Sequence, residues 1–80
     1  MTREELIEKI KDVISETADI SREDIHEDSA IMDDLELSSL ETLTTIGELE
    51  TMLSIHMKMQ DYQGIITIGD LADCLLNNIQ

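Results

Sequence analysis

The stretch Asp34-Leu35-Glu36-Leu37-Ser38-Ser39-Leu40-Glu41 decides how this sequence is read. Ser38 with Glu41 three residues later is a capping box: the serine hydroxyl accepts from the third helical amide while the carboxylate accepts from the serine's own amide. A helix therefore begins here. Leu40, Leu43, Ile46, Leu49 and Leu53 follow at steps of three or four, as in a buried helical stripe, with Glu41, Glu48 and Glu50 outside it. Gly47 and the Thr44-Thr45 pair lower the helix propensity, so packing must hold this helix, which is expected to end near Leu53 or Ser54. With Ser38 as the cap, Ser39 becomes the first helical residue and its hydroxyl is free. A group attached there sits at the positive end of the helix dipole, where a phosphate is favoured. Two serines can also do no more than start a helix, and on spacing alone that is the commoner outcome.

Upstream of this stretch, residues 19–37 hold neither the helical nor the strand period. Ile20, Ile25, Ile31, Leu35 and Leu37 are apolar, separated by charged and small polar residues. The pattern predicts a long loop pinned to a core by its aliphatic side chains, which is unusual in a compact domain and suggests function. Before it, Thr2 and Glu5 form another capping box, and Leu6, Ile7, Ile10, Val13 and Ile14 make one apolar face of a helix that fades near Thr17 to Asp19.

Downstream, Ile55, Met57 and Met59 alternate with His56 and Lys58, but no second strand is available to pair with them. The reading is an extended connector and then a short helical turn around Gln60 to Gln63, ended by Gly64. A last helix starts at Thr67, with Asp70 at its third position and Ile68, Leu71, Ala72, Leu75, Leu76 and Ile79 as its stripe. The expected fold is all-α: three long helices plus one short helix around an aliphatic core, as a single domain over 1–80.

The chain has 80 residues, 19 acidic and 5 basic, for a net charge of −14. Binding to a nucleic-acid backbone is excluded, because phosphate contacts need clustered Lys and Arg. A basic membrane-surface helix fails for the same reason, and no apolar run approaches a membrane span, so no membrane insertion is expected. The charged N-terminus is not a secretory signal, and one cysteine cannot form an internal disulfide, which fits the cytoplasm. High charge and a lone aromatic, Tyr62, raise the question of disorder, but 41% hydrophobic residues and no proline supply a small core. Such a self-repelling surface gains stability with salt or divalent cations. Between Arg22 and Lys58 there is no basic residue, so the whole stretch around Ser39 is acidic. That acidity serves solubility or a docking surface for partners with basic patches.

No catalytic constellation, Gly-rich phosphate loop or metal-ligand spacing stands out, so no catalytic and no metal residue is expected. His26 and His56 are isolated and read as surface or loop residues. Cys74 reads as a structural thiol.

The spacing Ile25-x-x-Asp28-x-x-Ile31-x-x-Asp34-Leu35-x-Leu37-x-Ser39-Leu40 resembles the Asp-Leu-Gly-x-Asp-Ser-Leu motif of acyl carrier proteins, with its upstream aliphatic positions. The helix through Leu43, Ile46, Leu49, Glu50 and Leu53, and the later Ile65-x-Thr67-Ile68-Gly69-Asp70-Leu71, are similar to the family as well. The likeness covers almost the whole chain. It implies a carrier rather than an enzyme, in which Ser39 receives a covalent 4′-phosphopantetheine from coenzyme A by the action of a phosphopantetheinyl transferase. The arm's thiol then holds acyl groups as thioesters for fatty-acid, polyketide or related lipid synthesis. Partners would be the transferase and acyl-transferring and synthase enzymes, with Glu36, Leu40, Glu41, Glu48 and Glu50 docking them and the chain a monomer. Leu37, Leu40, Leu43, Ile46 and Ile65 would contact the acyl chain, and Met52, Met57 and Met59 are adaptable side chains that also suit a cavity wall.

Four departures from the family pattern stand out. Glu36 replaces the usual Gly, Ser38 the usual Asp, and Thr44 a residue that is often acidic. The stretch from His56 to Gln60 lacks the usual Pro and most of the acids. They favour a specialised carrier. The alternatives are an aminoacyl or peptidyl carrier, an interaction module without the arm, and an acidic cation-binding domain.

Overall fold

The first helix, α1, spans Arg3–Ala18 in a computed structural model that describes residues 1–79, the side chain of Met59 excepted. Thr2 caps it as the sequence predicts: its hydroxyl accepts from the Glu5 amide at 3.2 Å, and Glu5 Oε1 accepts from the Thr2 amide at 2.9 Å. Asp19 ends the helix in the left-handed region (φ 56°), a conformation Asp tolerates better than most residues. Leu6, Ile7, Ile10, Val13 and Ile14 are all buried. This face packs against both α2 (Ser39–Leu53) and α4 (Ile68–Ile79), so α1 is the spine of the bundle. With the short α3 (Met59–Tyr62), the architecture is the expected three long helices and one short one. Its radius of gyration is 11.2 Å, against roughly 28 Å for an unfolded chain of this length, which rejects disorder. No described helix is long and apolar enough to cross a membrane.

The segment between α1 and α2 is more ordered than its irregular spacing suggests. It holds a 3₁₀ turn at Arg22–Asp24. Ile25, Ile31 and Leu37 are buried, and Ile20 and Leu35 pack against the core. Backbone hydrogen bonds then stitch it to the start of α4. The Ile31 amide donates to Ile66 O (2.8 Å), the Ile68 amide to Ser29 O (3.1 Å) and the Gly69 amide to Glu27 O (2.8 Å), around an isolated antiparallel bridge between Ala30 and Thr67. Sequence gave no sign of this pairing, because a single bridge leaves no alternating run.

Gly69 eases that approach, because the atoms a Cβ there would crowd belong to the Arg3 and Glu27 side chains, while Glu27 O at 3.4 Å would be in ordinary contact. A Cβ there would lie 2.9 Å from the Arg3 guanidinium and 3.2 Å from the Glu27 side chain. Arg3 in turn bridges Asp73 (2.6 Å) on α4 and Glu27 (3.1 Å) in the loop. Arg22 clasps Glu8 (2.6 Å) and Asp12 (2.8 Å) of α1. Exposed ion pairs are individually weak. In a chain of net charge −14, each also removes repulsion from an acidic neighbourhood.

The stripe on α2 differs from expectation. Ile46 and Leu49 are buried together with Thr45, whereas Leu40 is 74% and Leu43 55% exposed. The reason is the helical pitch: each step of three residues falls about 60° short of a full turn, so three such steps from Leu40 to Leu49 lead to the opposite side. Thr45 can be buried because its hydroxyl donates to Glu41 O at 2.9 Å. Met52 is exposed while Met57 is buried, and the side chain of Met59 lies outside the described residues. Gly64 follows the α3 turn without adopting a left-handed conformation, as Gln63 ends the helix with φ −65°.

At α4 the reciprocal cap is formed. The Thr67 hydroxyl accepts from the Asp70 amide (3.1 Å), and Asp70 Oδ2 accepts from the Thr67 (3.0 Å) and Ile66 (3.1 Å) amides. The Thr67 and Ile66 amides hold the Asp70 carboxyl below its ordinary pKa. A carboxyl so depressed adds stability above its unfolded-state value, about 4, and loses it as pH falls through the lower folded value. Asp70→Asn should therefore lower the melting temperature at pH 7. The gap from the parent should narrow as the pH is taken below about 4 in a thermal melt series.

Candidate functional site

The site is assembled where the loop turns into α2. Asp34 Oδ2 accepts from the Ala30 amide (2.7 Å), and the Asp34 and Leu35 amides both donate to Ala30 O (2.9 and 3.1 Å). The chain then reverses through Glu36, which holds φ 57°. That turn lets Leu37 drop into the core while its amide donates to Ile31 O at 3.2 Å. Ser38 follows in extended conformation as the cap of α2. Its hydroxyl accepts from the Glu41 amide at 3.1 Å, and Glu41 Oε1 accepts from the Ser38 amide at 2.9 Å.

Ser39 is therefore the first residue of α2, and it is exposed. Among the described residues its hydroxyl has no hydrogen-bond partner. The first amides of a helix lack intrahelical acceptors. Here the box engages those of Ser38 and Glu41 and leaves those of Ser39 and Leu40. Two unclaimed N–H groups beside a free hydroxyl, at the positive end of a helix, suit a phosphodiester on Ser39.

The five residues expected at an acyl chain do not share one space. Leu37 and Ile46 are core residues, Leu40 and Leu43 stand outward on α2, and Ile65 is half-buried. Ile65 lines a surface groove of about 240 Å³ with Ala30, Met32, Asp33 and Ile66.

The acids expected at the docking surface also separate. Glu36 and Glu48 are exposed, and Glu41 is held in the cap. Glu50 turns inward, its side chain only 16% exposed. Its Oε2 accepts from the Met57 amide (2.9 Å) and its Oε1 from the Tyr62 hydroxyl (3.2 Å), with His56 Nδ1 at 3.5 Å. Glu50 thus ties the connector and α3 to the end of α2. Burial and then the Glu50 charge raise the Tyr62 pKa. On the other side of α3 the half-buried Cys74 thiol donates to Asp61 O at 3.4 Å. Burial, then Asp61, pushes its pKa up, so little of it is thiolate at neutral pH. Among the described residues no cluster of His, Cys, Asp and Glu could hold a metal ion.

The family model described as "phosphopantetheine attachment site" matches residues 8–75. Three curated proteins, each named acyl carrier protein, are similar to the chain. That of Thermotoga maritima is 29% identical over 89% of this chain and 88% of its own length. That of Saccharopolyspora erythraea is 29% identical over 96% and 81%. That of Prochlorococcus marinus is 30% identical over 88% of each.

The Glu36 turn makes a direct prediction. A left-handed φ costs a residue with a Cβ about 1–2 kcal/mol, and glycine avoids that cost while losing more freedom on folding. Glu36→Gly should stabilise the fold by about 0.5–1 kcal/mol net in a urea titration.

Proposed function

This chain belongs to the acyl carrier protein family, the carriers built on a phosphopantetheine attachment site, and on that premise we propose that Ser39 bears the 4′-phosphopantetheine arm. The reading rests on one observation: Ser39 is the exposed first residue of α2, with its hydroxyl unclaimed. The neighbouring Ser38 is spent on the cap and closes the first turn instead. The protein is a carrier, not an enzyme, and bond making and breaking belong to its partners.

The arm supplies a terminal thiol that holds an acyl group as a thioester. The chain's own residues do the positioning. The capping box keeps the end of α2 rigid, so an attached group pivots from a fixed point. The Ser39 and Leu40 amides, left without acceptors, would favour a phosphate at this helix start. Cys74, with its thiol raised in pKa and donating to Asp61 O, takes no part.

The proposed role is transport of acyl intermediates in fatty-acid, polyketide or related specialised lipid synthesis, in the cytoplasm. The names of the three relatives favour acyl cargo over aminoacyl or peptidyl cargo. The first partner in this role is a phosphopantetheinyl transferase, followed by acyl-transferring and synthase enzymes.

The test is intact-mass spectrometry after incubation with coenzyme A, Mg²⁺ and a broad-specificity transferase. The expected result is a gain of one phosphopantetheine, abolished by Ser39→Ala. Ser38→Ala should keep the gain while losing about 1 kcal/mol of stability with its cap. Failure of several transferases to modify the chain would sink the carrier reading. Loss of the gain in Ser38→Ala alone would move the attachment point.

A further inference from the structure

The helix α1 packs broadly against both α2 and α4, but α2 and α4 meet each other little. The seam between them is covered by the connector and the single turn of α3, and two polar anchors hold that cover. On the α2 side, Glu50 accepts from the Met57 amide (2.9 Å) and the Tyr62 hydroxyl (3.2 Å). On the α4 side, the Cys74 thiol donates to Asp61 O (3.4 Å). Within the cover, Asp61 Oδ2 accepts from the Lys58 amide (3.0 Å) and closes the turn. The other walls of the core are long helices or, at residues 27–31, a loop held by backbone hydrogen bonds to the start of α4. The cover is therefore the part of the wall that an apolar guest could part with least disruption.

Tyr62 stands in this cover. It is the only aromatic residue of the chain, and it packs against the core. Its hydroxyl lies 3.2 Å from both Glu50 Oε1 and Met57 O. Swinging it aside would withdraw the ring from the core and take the hydroxyl donor from Glu50, whose side chain is only 16% exposed. Removing one partner from a part-buried polar pair costs more than the bond itself contributes, because the other partner stays desolvated. What offsets that cost is the apolar area an inserted guest buries, which grows with its number of methylenes. A short acyl chain supplies little of it and a polar one less.

We propose that Tyr62, anchored by Glu50, closes the core to the acyl group, so that this carrier suits short or polar acyl groups, which need no shelter from water. The proposal rests on the reading of Ser39 as the attachment site and deepens it by naming the class of cargo. A long alkyl chain on this carrier would remain in water, where its apolar surface is unfavourable. Tyr62 is thus a specificity-determining residue that touches neither the arm's attachment point nor the first turn of α2.

The experiment loads the parent chain and Tyr62→Ala with butanoyl- or octanoyl-phosphopantetheine, using a broad-specificity transferase and the matching acyl coenzyme A. Cleavage of each thioester by hydroxylamine is then timed by intact mass, relative to the same thioester of free coenzyme A. A group that spends about two thirds of its time inside the core is cleaved about threefold more slowly, because only the exposed fraction reacts. On the parent, both relative rates should be the same. On Tyr62→Ala the octanoyl group should be cleaved about threefold or more slowly than the butanoyl group. Tyr62→Leu, which keeps apolar bulk but lacks the hydroxyl, should shift in the same direction and serves if circular dichroism shows the alanine variant unfolded. Slower cleavage of the octanoyl group on the parent would overturn the proposal while leaving Ser39 as the attachment site. Equal rates on the folded variants would overturn it too, since Tyr62 would then not be the barrier. Failure of the parent to accept either group would remove the Ser39 reading, and this proposal with it.

Discussion

Two hydrogen bonds between Ser38 and Glu41, 3.1 and 2.9 Å long, set the first turn of α2, and the site depends on them. They assign one serine to the cap and release the next. They also engage the Ser38 and Glu41 amides and leave those of Ser39 and Leu40 without an acceptor. The cap stands where it does because Leu37, one residue earlier, is anchored in the core. That anchoring requires the left-handed turn at Glu36. A structural constraint on three consecutive residues thus becomes a chemical distinction between two adjacent hydroxyls.

Charge is handled in the same economical way. Of the five basic residues, Arg3 and Arg22 each join two acids, and both pairs tie α1 to another part of the chain. Several acids are equally committed: Glu5, Glu41 and Asp70 to helix caps, Asp34 to the loop, Glu50 to α3. The caps turn part of that acidity to structural use, since negative groups are favourable at helix N-termini. The net charge of −14 is then less a uniform coat than a set of local structural devices with a remainder at the surface.

Much of this was legible in the sequence because it is local. The boxes Thr2–Glu5 and Ser38–Glu41 and the Thr67–Asp70 pair each join residues three apart, so each marks a helix start by itself. The apolar stripes of α1 and α4 were equally plain. The stripe of α2 was misread at Leu40 and Leu43, because steps of three drift around the helix. The run Thr45-Ile46-Leu49-Leu53, in which steps of four offset the drift of a step of three, carries the actual signal. Glu50 read as a surface acid because its partners, Met57 and Tyr62, lie seven and twelve residues on, beyond the reach of any helical rule.

What the sequence determined by itself is the all-α class, the three long helices with their starts, and Ser39 as a free first-turn hydroxyl. All follow from contacts within one or two turns of chain. What only the tertiary structure decided is how the loop and the faces are used. Residues 27–31 pair with the start of α4, Glu36 turns left-handed, Glu50 faces inward, and Leu40, Leu43 and Gly47 face out. Each of these depends on packing or hydrogen bonding between segments distant in sequence. Local periodicity can mark an amphipathic helix, but only the position of α1 against α2 and α4 selects which side is buried.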